Sequence, residues 1–219
     1  MTIKLKDGAE FRAFSMPDLK ADEGGSTIEG HAAVFGQETN IGGWYKEIIQ
    51  RGAFDKTDFK DVLFSVNHDL EKIPLARSRN NNANSTLQLQ VDDQGLGMRA
   101  NLDTENNADS KSLYSAVSRG DITGMSFIFN VRDEEWTDLD SDTPTRTIKD
   151  ISKVYEVSAV SFPAYDGTDI NARGKETLES AKRELESARV KELESLNEQR
   201  IKIEIQNLKK TIIGGKNNG

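Results

Sequence analysis

The sequence predicts a mainly β domain over residues 1–170, followed by a charged helical tail over residues 171–219. Three observations carry this. The first part consists of short apolar runs, several alternating with polar residues, separated by Gly-, Asn- and Asp-rich turns. Near residue 170 the charge changes sign. Residues 1–170 hold 18 Lys and Arg against 29 Asp and Glu, and residues 171–219 hold 11 against 8. The prolines end at Pro163, and Leu and Ala then recur at helical spacing.

In chain order, Ala9 to Phe14 and Thr27 to Phe35 read as short strands, parted by the turn signal Asp22-Glu23-Gly24-Gly25. Trp44 to Phe54 reads as a loop and short helix. Val62 to Val66 is an apolar strand that ends at Asn67-His68-Asp69. Leu87, Leu89 and Val91 alternate with polar residues, turn at Asp92-Asp93-Gln94-Gly95 and continue as Leu96, Met98 and Ala100, which is a hairpin pattern. Leu113, Ala116 and Val117 put a helix at Ala108 to Arg119, and Gly120 closes it. Ile122 to Val131 is a second buried strand. Asp133 to Pro144 reads as an exposed acidic loop, and Thr145 to Phe162 as one or two strands. In the tail, Leu178, Ala181, Leu185 and Ala188 predict an amphipathic helix of four to six turns, suited to a coiled coil. The alternation of Ile201, Ile203 and Ile205 also fits a strand, and residues 214–219 read as a flexible end.

Composition narrows the chemistry. With no cysteine, disulfides, thiolate zinc sites and a cysteine nucleophile are excluded. The net charge of -8 argues against a general nucleic-acid binder. No apolar run approaches the ~20 residues of a membrane helix. The first residues lack a signal-peptide core, so a cytoplasmic location is expected. Phosphate-loop, nucleophile-elbow and His-Glu-x-x-His patterns are absent. Asp138, Asp140 and Asp142 resemble the start of a calcium loop without its glycine and closing glutamate, and read as a solvated loop.

Three residues stand out by their setting. His68 ends an apolar strand. Ser126 lies in the apolar run Ile122-Thr123-Gly124-Met125-Ser126-Phe127-Ile128-Phe129, and Glu156 lies in Val154-Tyr155-Glu156-Val157. A buried hydroxyl or carboxylate requires a partner. Each also fits a plain reading: a structural histidine, a serine bonded to backbone, a glutamate on an edge strand. Together they meet the requirements of a serine nucleophile, which needs a base and a group to orient the base. His31, the other histidine, lies inside a strand and reads as structural.

Six segments in order resemble the tailed-phage prohead protease family over about residues 9 to 170. They are Glu29-Gly30-His31-Ala32-Ala33-Val34-Phe35, Glu47-Ile48-Ile49-Gln50-Arg51-Gly52-Ala53-Phe54, Val66-Asn67-His68-Asp69 with Pro74-Leu75-Ala76-Arg77, Asp93-Gln94-Gly95-Leu96, Gly124-Met125-Ser126-Phe127, and Glu156-Val157-Ser158-Ala159-Val160-Ser161-Phe162-Pro163-Ala164. The chain departs from the family's pattern at Ile128 and Ala76, where the family often has glycine, and at His31. The resemblance extends to the herpesvirus maturation proteases. It implies an α+β fold, mainly β with flanking helices: a herpesvirus-protease-like β-barrel plus the C-terminal helical tail.

The resemblance also implies a serine endopeptidase, with Ser126 as nucleophile and His68 as base. Glu156 takes the place of a histidine that orients the base in the herpesvirus enzymes. No metal or cofactor is implied. The implied partners are the phage's major capsid protein and scaffold, with self-association allowed, and neither nucleic acid nor membrane. The implied place of action is the assembling prohead in the host cytoplasm. The competing readings are a capsid-assembly module with the same fold but no catalysis, and a carboxylate-based hydrolase using the acidic loops. Backbone N–H groups near Ser126, or Arg77, are candidates to stabilise an oxyanion.

Overall fold

The computed structural model describes residues 9–161 and the helix 172–214, with side chains of the helix described over 181–209. In chain order the strands are β1 (Ala9–Ser15), β2 (Lys20–Ala21), β3 (Thr27–Val34), β4 (Thr39–Ile41), β5 (Tyr45–Ile49), β6 (Leu63–Val66), β7 (Ala76–Arg77), β8 (Leu87–Val91), β9 (Gly95–Asn101), β10 (Gly124–Thr137) and β11 (Thr145–Val160). The helices are α1 (Ala108–Ser118), between β9 and β10, and α2 (Ala172–Gly214).

The long strand β11 organises the larger sheet. Its β-branched residues, among them Ile148, Ile151, Val154 and Val157, suit a strand covered on both faces. One edge pairs antiparallel with β10, which pairs in turn with β1. The other edge is shared. Residues Thr145 to Ile148 pair parallel with β5, and Glu156 to Ala159 pair parallel with β6. The second sheet runs β2-β3-β9-β8. Where β3 meets β9, a Cβ at Gly95 would collide with the Ala33 carbonyl oxygen, so only glycine permits this approach.

Period-two alternation gives the larger sheet an inner face, with Phe14, Phe64, Met125, Phe127, Phe129, Val154, Val157 and Ala159. It packs on Ile28, Leu87, Leu89, Leu96, Met98 and Ala100 of the second sheet in one continuous core. The Phe127 and Phe129 rings stack at 4.2 Å. Each such side chain contributes about 1.5–3 kcal/mol on full burial. Among the described residues no strand of one sheet pairs with the other, so they form two packed sheets flanked by helices and no closed barrel.

The inner face continues beyond the second sheet, and there it carries charge. Glu47, Arg146 and Arg12 lie two residues from the core positions Ile49, Ile148 and Phe14, and are fully buried. The Arg146 Nη1 donates to Glu10 at 2.6 Å, to Glu47 at 2.9 Å and to Glu184 of α2 at 3.1 Å. Arg12 donates to Glu47 through Nε at 2.5 Å and Nη2 at 2.7 Å, and to Glu10 at 2.8 Å. Glu134 also accepts from Arg146. Around this cluster, Ala181, Leu185 and Ala188 of α2 pack on Ile41, Tyr45 and Leu139.

Two guanidiniums serving four carboxylates divide their favour unequally. Burial pushes the Glu10 carboxyl up, but hydrogen bonds and charge from Arg146 and Arg12 outweigh it and leave it below the usual range. At Glu184 burial wins, and its carboxyl is raised despite Arg12. Removing one cation leaves buried carboxylates without compensation. Arg146→Met is therefore expected to lower stability by about 3–5 kcal/mol in urea unfolding. A loss below about 1 kcal/mol would show that the cluster relaxes around the gap.

Besides the absence of the expected closed barrel, the structure departs from the sequence expectations at four places. The segment from Trp44 is not helical: Tyr45–Ile49 is β5, and turns follow it. Its apolar alternation is masked because the inward Glu47 is a carboxylate. The acidic stretch from Asp133 belongs to β10 as far as Thr137, paired with β11. The tail helix has 43 residues, far beyond four to six turns. Ile201, Ile203 and Ile205 lie within it, all exposed. The residues from Phe162 to Asn171, including the Pro163 break, and those from 215 onward lie outside the described residues.

Candidate active site

Strand register gathers the site on the outer face of the larger sheet. Ala13, Ser126, Ser158 and Ser65 face one another in a row across β1, β10, β11 and β6. The next row is Phe11, Ile128, Glu156 and Leu63. Each of these alternates with an inner residue such as Phe127, Val157 or Phe64, so the core that fixes the sheet also fixes this face. The row of small side chains leaves space above the sheet, and the chain leaving β6 turns back into it.

That turn is made by Asn67 and His68, both in left-handed backbone, with φ of 51° and 56°. For a histidine this conformation costs about 1–2 kcal/mol. Three bonds hold it. The Asn67 N–H donates to the Ala159 carbonyl at 2.9 Å, the Asp69 N–H to the Val66 carbonyl at 3.0 Å, and the His68 N–H to Ser158 Oγ at 3.0 Å. The Asn67 carboxamide also accepts the Ser161 N–H at 3.1 Å. Strain held by surrounding bonds is a recurring mark of functional positions.

The imidazole lies over the sheet, edge-on to the Phe11 ring at 5.2 Å. Its Nδ1 is 2.5 Å from Glu156 Oε2 and its Nε2 is 2.6 Å from Ser126 Oγ. An ionised carboxylate only accepts, so Nδ1 carries a hydrogen. In the neutral ring Nε2 is then the acceptor facing the serine. Ser126 Oγ also lies 2.9 Å from the Arg12 carbonyl, so its one proton has two acceptors within reach. Ser126 and Glu156 are each only 1% exposed. The structure thus brings together all three residues singled out from the sequence.

Two residues at the site were not anticipated. Ser65 Oγ donates to the second Glu156 oxygen, Oε1, and lies 3.1 Å from Ser158 Oγ. Both carboxylate oxygens of Glu156 are therefore engaged, one by the imidazole and one by a hydroxyl. Ser158 was discoverable in principle, since two residues beyond Glu156 puts it on the same strand face. Ser65 needed the β6–β11 register, which no local pattern encodes.

The other sequence candidates lie elsewhere. His31 is on β3 in the second sheet, with Nδ1 at 2.6 Å from Asp18 and Nε2 at 3.0 Å from Asp92. Burial alone would lower its pKa, but the two carboxylates override this and raise it. The two anions favour the protonated ring, and neither nitrogen faces a hydroxyl that could give up a proton. Arg77 forms a two-pronged pair with Asp61, at 2.6 and 2.7 Å. Asp138 to Asp142 form the turn between β10 and β11. Among the described residues no group of three His, Asp or Glu side chains is placed to hold a metal.

A hydroxyl, an imidazole and a carboxylate in one hydrogen-bonded line is the constellation of acyl-transfer hydrolases. The chain belongs to the caudovirus prohead serine protease family, whose sequence model matches residues 15–184. It is also similar to the prohead protease of Enterobacteria phage HK97, with 29% identity over 149 residues, covering 66% of this chain. The match spans 59% of that relative's length. No solved structure matches the chain.

Proposed function

We propose that the protein is a serine endopeptidase of phage prohead maturation, with Ser126 as nucleophile, His68 as general base and Glu156 as the group that orients the base. The observation that carries this is the continuous line from Glu156 Oε2 through both imidazole nitrogens to Ser126 Oγ. Ser126 Oγ attacks the scissile carbonyl while its proton passes to Nε2. The imidazolium is stabilised by the buried Glu156 carboxylate and delivers that proton to the leaving amine. Water then repeats the sequence on the acyl-enzyme. The 2.6 Å contact supports this over a non-catalytic assembly module, in which nothing would hold Ser126 and His68 together.

The substrates in this reading are the phage scaffold, or the scaffold-like N-terminal region of its major capsid protein, and the protease itself. It acts inside the assembling prohead in the host cytoplasm. The family membership supports this assignment, as does the naming of the HK97 relative. Kinship with the herpesvirus maturation proteases belongs to the same proposal, supported by a mainly β body with flanking helices. The test is co-expression with the capsid protein and scaffold, read by intact mass. Capsid protein that keeps its full mass in every combination would remove the reading.

Glu156→Gln separates orientation from bond-making. The amide keeps the size but loses the charge and favours the wrong imidazole tautomer, while nucleophile and base remain. The rate should fall by about 10²–10⁴-fold, less than on loss of Ser126 or His68. An unchanged rate in a peptide assay would make Glu156 structural.

The division into a catalytic part, 1–170, and a delivery tail, 171–219, is a further part of the proposal. Residues 181–189 of α2 touch the body, Arg189 through hydrogen bonds to the Leu139 and Ser141 carbonyls, whereas residues 190–209 are exposed throughout. A truncation after Glu192 spares the contacts of Glu184 and Leu185. It should fold and cleave free peptide at the full-length rate yet fail to enter proheads. Packaging equal to that of the full chain, measured by immunoblot of purified proheads, would show that the exposed helix has no part in delivery. The proposed self-cleavage site, near Tyr165 to Gly174, lies mostly outside the described residues.

A further inference from the structure

Beside the catalytic turn lies a cavity of about 440 Å³ that the chemistry above does not use. Its wall begins with Ser65, Val66 and Asn67, immediately before the base, and resumes with Asp69, immediately after it. The far wall is α1 and the residue leading into β10: Leu113, Ala116 and Ile122. Leu75 and Ile73 come from the chain between His68 and β7. Most of the lining is apolar. Three charged residues line it: Lys72 Nζ bonds Asp109 at 3.1 Å between the turn and α1, and Asp69 is the third. Ile73 stands at the rim, 83% exposed, the largest apolar exposure in the β body. An isoleucine held in water beside an apolar hollow is the kind of surface that gains from a covering group.

We infer that this cavity is a subsite of the peptidase that takes one large aliphatic side chain (Leu, Ile, Met or Val) of the substrate, within two residues of the scissile bond. The inference rests on the proposed protease reading and adds its substrate preference. Three features commit it to this occupant. The cavity wall is continuous in sequence with the base, so a peptide held at Ser126 passes its mouth. Its volume exceeds that of any single side chain and suits an apolar group with room to seat. Its cation, Lys72, is already bonded to Asp109, so an acidic side chain entering would find no free partner and would lose its hydration, and the leftover charge of Asp69 makes a preference for Lys or Arg the competing outcome of the test. Apolar pockets with a few convergent polar groups beside catalytic residues are the usual form of such sites.

The experiment profiles cleavage of a synthetic peptide library by the full-length wild type, Ala116→Trp and Ser112→Trp. Both substitutions send an indole from α1 into the cavity, and neither residue touches the catalytic line. Labelling of Ser126 by a fluorophosphonate runs in parallel and reports the nucleophile independently of the cavity. The expected result is a preference of at least tenfold in kcat/KM for a large aliphatic residue at one position of the wild-type profile. That preference should drop below threefold in the indole variants while labelling rates stay within threefold. A wild-type profile with no aliphatic preference within two residues of the cut would overturn the inference. So would a preference that survives in whichever indole variants fold. If neither cleavage nor labelling occurs in the wild type, the protease reading itself falls, and the subsite with it.

Discussion

Ser126→Ala is expected to leave a folded protein that no longer cleaves its substrate. One oxygen is lost from a site where neither the sheet register nor the core depends on it. The neighbours across the strands are Ala13 and Ser158, and alanine fits the same row of small side chains. Stability should change by no more than about 1 kcal/mol. The rate should fall at least about 10³-fold, since the hydroxyl is the group that forms the acyl-enzyme. Intact-mass analysis of co-expressed capsid protein reads the activity, and thermal unfolding reads the fold. Residual cleavage within tenfold of wild type would remove Ser126 from the nucleophile's role.

His68→Ala should be as inactive, while His31→Ala should retain activity if soluble. The two rings differ in what they face. His68 presents Nε2 to a hydroxyl whose proton must leave, whereas His31 presents both nitrogens to carboxylates. The base must be neutral to accept the proton of Ser126. For His31, pH acts on stability. Its raised pKa makes its contribution one to stability, full below the ordinary histidine range and lost as pH rises through the folded value. His31→Ala should therefore lower the melting temperature more at mildly acidic than at alkaline pH and leave the shape of the activity profile unchanged. Inactivity of His31→Ala with activity in His68→Ala would reassign the base.

Much of the site was legible because its residues break local rules. A serine and a glutamate inside β-branched and aromatic runs, and a histidine where a strand gives way to a turn, are each out of pattern. The structure explains why: Ser126 and Glu156 face away from the core on strands whose other face is packed, and His68 sits in the turn that folds back over that face. Ser65 and Ser158 escaped notice because a serine in a sheet is unremarkable until its cross-strand neighbour is known. The neighbours here are set by parallel pairing of β6 with β11, some ninety residues apart in sequence. The fold was misread where charge lies inside. Glu47, Arg12 and Arg146 occupy inward positions that apolar patterning assigns to solvent, and β5 lost its strand signature as a result. The tail's length was underestimated because its apolar stripe changes phase after Ala188, as the helix leaves the body and no longer needs one continuous contact face.

The helix has a consequence for how the protein behaves in solution. At 1.5 Å per residue, 43 residues reach about 65 Å. A body of some 150 residues has a radius of gyration of only about 15 Å. Residues 190–209, exposed along their whole length, project from it as a rod. Frictional drag follows length more than mass, so a monomer of this shape sediments slowly and elutes early from a sizing column. Judged against globular standards, its apparent mass would be too high by sizing and too low by sedimentation rate. Light scattering, which weighs the molecule directly, is the measurement that separates an elongated monomer from a true dimer.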